Sequence, residues 1–467
     1  MSGRVGPLKP SFINTYSLDF DGMDDYVDVG EIPPLFKKFP IGTAKDNPWS
    51  ASMWVKGSTS GAFLQLPYGE INSLSAFAFA FALGASGLYF GGKFTNIKIR
   101  ESGTTAYNSS GWNHIVMTFD GVDYTALSSY KLYVNGTLIP IELIPTNITD
   151  FRVKSILIGG TQLPWLGKID EVSLFDAELT TSNVTSIYNG GKPTDLTPLN
   201  PIAWYRMGDN GSYKSPQWLI PNNENKDKVS NYSFEFDGVD DYVSLDSPNY
   251  PNAISFSAWF KTTNTSTQTI WSALDNSVQK HFLRISNTQF RLRLTDSAGA
   301  LLTLDNTLTT QDGNWHHVAF TTDGTTTTDG VVVYFDGVAL SNKGTLANGG
   351  LITTNKNNIG TYAATTWNFN GSIDEVSLYA SELSQSDVTD IYNGGEPTTI
   401  SGAIAHYKMG EEATFSGGVW TVPDAIGSND GTSNAMTIED RVGSAPSSSN
   451  NAVSFNMDLI DRVEDTP

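Results

Sequence analysis

The sequence predicts an all-β protein built from two tandem β-sandwiches, and three observations carry that prediction. Turn formers are abundant and charge is sparse: 43 glycines and 21 prolines stand beside only 16% charged residues in a chain of 467, a balance that favours short strands and tight turns over long charged helices. Apolar residues alternate with polar ones in many short runs, which is the period of a half-buried strand. The same blocks then occur twice, in the same order.

Residues 16–29, YSLDFDGMDDYVDV, return as residues 232–245, YSFEFDGVDDYVSL. In these runs Leu18 and Phe20, like Phe234 and Phe236, alternate with polar neighbours and so share one strand face, and Asp-Gly then turns the chain. WNHIVMTFDG (112–121) returns as WHHVAFTTDG (315–324), and YKLYVNGTLI (130–139) as GVVVYFDGVAL (330–340). Asn135-Gly136 and Asp336-Gly337 lie between apolar runs and predict equivalent hairpins, because both central residues must tolerate positive φ. The longest match pairs residues 167–194 with 371–398, identical at 19 of 28 positions. Each copy holds one short helix, with Thr180 or Ser384 as N-cap, Val184/Ile187 or Val388/Ile391 on its apolar face, and Gly190 or Gly394 ending it.

This periodicity divides the chain into an N-terminal arm (1–15), a first sandwich (16–200), a leader or linker (201–231), a second sandwich (232–400) and a truncated third repeat (401–467). The leader IAWYRMGDN (202–210), followed by Trp218, recurs as IAHYKMGEE (404–412), followed by Trp420. Only SFNMD (454–458) then echoes SFEFD (233–237) before the sequence stops. A lone strand needs a partner, so this tail is expected to complete the second sandwich or to dock on the edge of another subunit or protein.

Composition also excludes. A formal net charge of −21 repels a nucleic-acid backbone. The absence of cysteine removes disulfides, thiol nucleophiles and thiolate-bound metals. The N-terminus shows no apolar run of a secretion signal, and the most apolar segment, residues 74–83, is about half the roughly 20 residues a spanning helix needs. Neither membrane insertion nor a targeting segment is expected.

The succession FDGxDDYV, WNHI or WHHV, YVNG and GxIDEVSL, followed by a short polar helix, resembles the laminin-G-like/pentraxin-like branch of the concanavalin A-like lectin and glucanase superfamily. It covers roughly residues 16–200 and 232–400. The resemblance implies two concanavalin A-like jelly rolls, each of two antiparallel sheets. It implies little about activity, since the fold hosts lectins, adhesion modules, accessory domains of glycosidases and structural parts of virions.

Candidate sites follow from residue types. A glucanase would need two carboxylates on one strand face. Asp170-Glu171 and Asp374-Glu375 are adjacent and so are expected on opposite faces, while Asp21 and Asp237 precede glycine and read as turn caps. Asp24, Asp25, Asp240 and Asp241, with Asp170 or Asp374 brought near by the fold, are a hard-oxygen set suited to Ca2+, and related modules carry calcium at the sandwich rim. His114 and His317 stand in equivalent strands without a serine–carboxylate constellation and read as structural, and Trp165 and Phe369 as core. Trp367, in a loop with no counterpart in the first copy, is suited to stack on a sugar while Asn368 and Asn370 bond its hydroxyls.

The expectation is therefore a non-enzymatic virion surface protein of a tailed bacteriophage, a head decoration or fibre or a tail-fibre component. Its partners would be other virion proteins, copies of itself and host-surface glycans. An exported bacterial adhesin or carbohydrate-binding accessory protein, located outside the cell or at its surface, is the alternative. A glycoside hydrolase is the third reading.

Overall fold

The computed structural model describes residues 12–30, 48–57, 60–67, 77–84, 87–91, 97–102, 106–123, 126–145, 155–161, 163–225, 228–246, 253–362, 366–398, 401–447 and 451–467. The N-terminal arm is thus described only from Phe12 onward. Alternation decides which way each strand faces. Leu18 and Phe20 are buried while Asp21 is exposed, and Phe234 and Phe236 are buried while Glu235 and Asp237 are exposed. The predicted all-β class with two short helices is what the structure shows.

The chain divides into two units, Met1–Lys226 together with Ala452–Pro467, and Asp227–Asn451. Each is a pair of antiparallel sheets. In unit 1, one sheet runs in space through Thr137–Ile139, Tyr130–Val134, Asn113–Phe119, Trp49–Gly57, Leu166–Phe175, Ser17–Asp21 and Arg462–Val463. The other includes Ile97–Glu101, Gly87–Gly91, Phe77–Gly84, Gly61–Pro67, Leu157–Gly159, Tyr26–Asp28, Ala452–Phe455 and Gln217–Ile220. Unit 2 repeats the order, with Trp315–Thr322, Ser255–Lys261, Asn370–Tyr379 and Ser233–Asp237 in one sheet. Its second sheet orders Leu301–Thr307, Gln289–Thr295, Val278–Ser286, Gln268–Asp275, Lys356–Ile359 and Tyr242–Asp246.

Each core lies between its two sheets. Trp165, buried against Phe63 with ring centroids 4.7 Å apart, and Phe369, against Phe236 at 6.2 Å, are core residues as expected. The hairpins turn through Asn135 (φ 51°) with Gly136 and Asp336 (φ 47°) with Gly337. Helix α1 (Thr181–Tyr188) and helix α2 (Gln385–Tyr392) start at Thr180 and Ser384, whose side chains accept from the backbone N–H three residues on. Both end one residue earlier than expected, at Asn189 and Asn393, which take the left-handed conformation before the glycines.

The leader segments and the tail behave differently from their sequence reading. Ala203–Tyr205 pairs with Leu166–Phe175, so the expected linker is a strand of unit 1. Ala403–Tyr407 does the same in unit 2. The tail strand Ala452–Phe455 enters unit 1 rather than the second sandwich, between Tyr26–Asp28 and Gln217–Ile220. Its counterpart in unit 2 is Gly431–Asn434, between Tyr242–Asp246 and Val419–Val422. Behind this lies a repeat 21 residues apart that the sequence reading passed over, SNAMTIEDRV (433–442) and SFNMDLIDRV (454–463). Both copies do the same work. Ser433 and Ser454 accept the backbone N–H of Trp420 and Trp218, each at 2.8 Å, and the carbonyls of Thr437 and Asp458 accept the two indole N–H groups. Phe455 stacks on Tyr26 at 4.9 Å, a cross-strand aromatic pair where unit 2 opposes Asn434 to Tyr242.

Candidate functional site

The FDGxDDYV turns are built alike. Asp25 Oδ2 accepts the N–H of Asp21 at 2.8 Å and Asp241 Oδ2 that of Asp237 at 2.9 Å, while Asp21 and Asp237 cap the N–H two residues on at 2.7 Å. Asp24 and Asp240 are exposed beside them, so Asp21, Asp24 and Asp25, and again Asp237, Asp240 and Asp241, gather carboxylate oxygens. Burial, reinforced by neighbouring acids that include Asp461 or Asp440, pushes Asp25 and Asp241 up to about 7. Asp461 and Asp440, from the 21-residue repeat, were not among the residues expected there.

Asp170 and Asp374 do not join these turns. The expectation that Asp170-Glu171 and Asp374-Glu375 face opposite ways also fails, because a bulge intervenes. Glu171 (φ 48°) and Glu375 (φ 47°) are left-handed, and the strand register slips there against Trp49–Gly57 and Ser255–Lys261. The extra residue breaks the two-residue alternation, so both carboxylates of each pair are buried together. In unit 1 the cluster contains a cation: Arg206 Nε bonds Glu171 at 3.1 Å and its Nη2 lies 3.4 Å from Asp209, while Asn14 donates to Asp170 and Trp204 to Glu171. In unit 2, Asp374, Glu375 and Glu411 bring oxygens within 4.8 Å of one another. Ser230 donates to Asp374 at 2.6 Å and His406 Nε2 lies 2.7 Å from Glu375.

His114 and His317 are buried, each with a serine hydroxyl on Nε2, Ser52 at 2.9 Å and Ser257 at 2.8 Å. Their Nδ1 atoms have no hydrogen-bond partner, so no triad forms among the described residues. Burial depresses them to about 3 and about 4, which keeps both neutral.

The Trp367 loop is only partly described, residues 363–365 lying outside the described set. Trp367 is 38% exposed and holds a positive φ of 53°. Its two expected amide partners are already engaged: Asn368 donates to the carbonyl of Val239 and accepts from Thr361, and Asn370 donates to the carbonyl of Asp237 at 2.6 Å. They staple the loop to the acidic turn. The groups that do surround Trp367 come from the neighbouring strands. Phe282 faces Arg293 and Arg284 faces Arg291 across the Val278–Ser286 and Gln289–Thr295 pair, while Leu283, Ile285, Leu292 and Leu294 point into the core. The Arg284 guanidinium lies 4.5 Å from the Trp367 ring and 5.4 Å from that of Phe282, Arg293 lies 5.7 Å from Phe282, and Tyr362 packs 4.7 Å from Trp367. Arg291 is paired with Asp305, whose charge also reaches Arg284, and among the described residues no carboxylate is in salt-bridge contact with Arg284 or Arg293. Sequence reasoning missed this patch, although arginines spaced by two in Arg291-Leu292-Arg293 after Phe282-Leu283-Arg284 were its visible signal.

The model of the concanavalin A-like lectin/glucanases superfamily matches residues 21–185 and again residues 237–389. The chain belongs to this superfamily. No curated protein matches it in sequence. Among solved structures, domains LG4-5 of the mouse laminin α1 chain are similar at 12% identity, covering 85% of this chain and 95% of that one with a TM-score of 0.29. A heptameric SAP-like pentraxin from Limulus polyphemus is similar at 16% identity over 42% of this chain and 94% of that one, TM-score 0.29. The CBM40 of the Ruminococcus gnavus IT-sialidase, bound to α2,6-sialyllactose, is similar at 15% identity over 35% and 98%, TM-score 0.28.

Within this superfamily member the two units differ on the face carrying Trp367. In the corresponding place of unit 1, Ala62, Ala80 and Ala82 are buried beneath Tyr89 and Leu163, and Arg100 is paired with Glu142. No helix among the described residues is long and apolar enough to cross a membrane.

Proposed function

We propose that this chain is a non-enzymatic, lectin-like binding protein whose second unit holds saccharides bearing a carboxylate. The observation that carries the reading is the Phe282–Arg284–Arg293–Trp367 patch: two guanidinium groups with no carboxylate in salt-bridge contact among the described residues lie over aromatic rings, on a chain whose net charge is −21. Each cation–π contact holds a guanidinium in place for about 0.5–2 kcal/mol. A planar guanidinium is matched to a carboxylate, and an exposed indole to the apolar face of a pyranose ring. A glycosidase reading finds less support, because Asp170, Glu171, Asp374 and Glu375 are buried in the sandwich wall, away from any substrate.

The setting we propose is the surface of a tailed-phage virion, among other virion proteins and further copies of the chain, where many weak sites act together. Freedom from cysteine supports a protein folded in a reducing cytoplasm before display outside it. Mass spectrometry of purified virions checks this setting, and absence of the chain from particles defeats it. The binding reading is tested by titrating the full chain with uronic-acid or sialylated oligosaccharides and with their neutral analogues. Preference for the acidic sugars, lost tenfold or more in Arg284→Ala and in Trp367→Ala, is expected, at about 1.4 kcal/mol per factor of ten. Equal binding by both variants and the parent would refute it.

A further inference from the structure

The internal duplication shows what unit 2 has added around Trp367. Phe369 takes the core position of Trp165, so Trp367 stands in the place of Leu163, Asn368 in that of Pro164 and Asn370 in that of Leu166. The backbone is held alike in both units: the carbonyl of Leu163 accepts the N–H of Ala62 at 2.9 Å, and that of Trp367 the N–H of Thr269 at 2.8 Å. The side chains part company. Pro164 and Leu166 have nothing to donate, whereas Asn368 and Asn370 donate their amides to the carbonyls of Val239 and Asp237 in the FDGVDDYV turn.

Further bonds fix the same stretch from behind. The Thr361 hydroxyl donates to Asn368 Oδ1 at 2.6 Å, Gln268 Oε1 accepts the N–H of Asn370 at 2.9 Å, and the N–H of Phe369 donates to the carbonyl of Gly360 at 2.8 Å. Trp367 itself takes a φ of 53°, which a bulky side chain adopts only where its surroundings impose it. The ring so placed lies 4.7 Å from that of Tyr362 and 4.5 Å from the Arg284 guanidinium. Strain kept at an exposed aromatic side chain fits a ring held ready for a ligand, because a group ordered beforehand loses less freedom when the ligand arrives.

We propose that Asn368 and Asn370 are positioning residues of the saccharide site in unit 2: by fastening the loop to the FDGVDDYV turn they hold the Trp367 ring against the Arg284 guanidinium, at a spacing where one ligand meets both. The inference rests on the reading of unit 2 as a site for saccharides bearing a carboxylate. A turn common to both copies thereby becomes, in unit 2, the anchor of a recognition loop.

The test uses the full chain carrying Asn368→Ala or Asn370→Leu, each alone and combined with Trp367→Ala. Near-ultraviolet circular dichroism of the parent minus that of Trp367→Ala isolates the signal of the Trp367 ring beside Tyr362, with no sugar present. That signal should be lost in both asparagine variants. Affinity for sialyllactose, with lactose as the neutral control, should fall about fivefold or more in each, and neither should lose anything further in the Trp367→Ala background, because residues that act through one side chain are not additive with it. Should Asn368→Ala fail to fold, Asn370→Leu decides, since unit 1 already carries leucine at that position. A ring signal unchanged in the folded variants overturns the proposal, as do losses of affinity that add in full to that of Trp367→Ala. A parent that shows no preference for sialyllactose over lactose defeats the saccharide reading instead, and the ring signal then decides by itself whether the two asparagines position Trp367.

Discussion

Single residues in this protein are constrained by close approach and by desolvation. Gly371, at φ +140°, would place a Cβ 2.2 Å from the carbonyl oxygen of Lys261, and Gly167 is its equivalent against Lys56. Gly371→Ala should cost about 3 kcal/mol, because neither the left-handed backbone nor the neighbouring strand can yield; the midpoint of chemical denaturation measures this. Titration gives a second prediction. Asp241, held at about 7, and Glu411, at about 8, carry protons in the folded state that the unfolded chain releases near 4. Their contribution is complete below about pH 4 and is lost as pH rises through their folded values. His281 and His317, depressed to about 4, act in the opposite sense, withdrawing stability as pH falls below about 6.5. Between pH 6.5 and 8 the carboxyl contribution falls, the raised His316 loses its contribution in the same direction, and the depressed histidines no longer oppose them, so stability should decline over that interval. Asp241→Asn keeps an oxygen for the Asp237 N–H and should flatten the decline, as urea unfolding at several pH values would show. The acidic turns, the capping residues and the structural histidines were legible as residue types. Glu171 and Glu375 were not, since adjacency in a strand implies opposite faces and only the left-handed bulge cancels that rule.

At the scale of elements, the helices show how local chemistry fixes boundaries. Thr180 and Asn183, like Ser384 and Asp387, exchange backbone and side-chain hydrogen bonds in a capping box. Thr180→Ala should destabilise unit 1 by about 1 kcal/mol without altering unit 2, a difference visible as a shift in one of two calorimetric transitions. Strands were legible wherever apolar residues alternated beside a turn signal. Partners were not legible in the same way. Ala452–Phe455 is buried along its whole length, so its composition announces a central strand and says nothing about which sheet receives it.

Along the whole chain, unit 2 is formed by one continuous segment, while unit 1 is formed by the stretches before and after it in sequence. Gly431–Asn434 and Arg441–Val442 complete unit 2 from within, so residues 228–451 should fold when produced alone. Residues 1–226 alone should leave Trp218 and Ile220 without the strand that covers them, and a peptide of residues 452–467 added in trans should restore their folding. Proteolysis and circular dichroism distinguish these outcomes, and stable folding of 1–226 without the peptide would contradict the assignment. Two sandwiches of one family could be read from the sequence, because a duplicated alternation of apolar residues is a local property that needs no coordinates. The turn residues and helix caps were readable for the same reason. Which sandwich takes the last strand, whether adjacent acids lie side by side, and whether Arg206 stands among them were settled only by tertiary structure. Pairing between distant strands, a slipped register and the direction of one long side chain are decided by contacts that no stretch of sequence contains by itself.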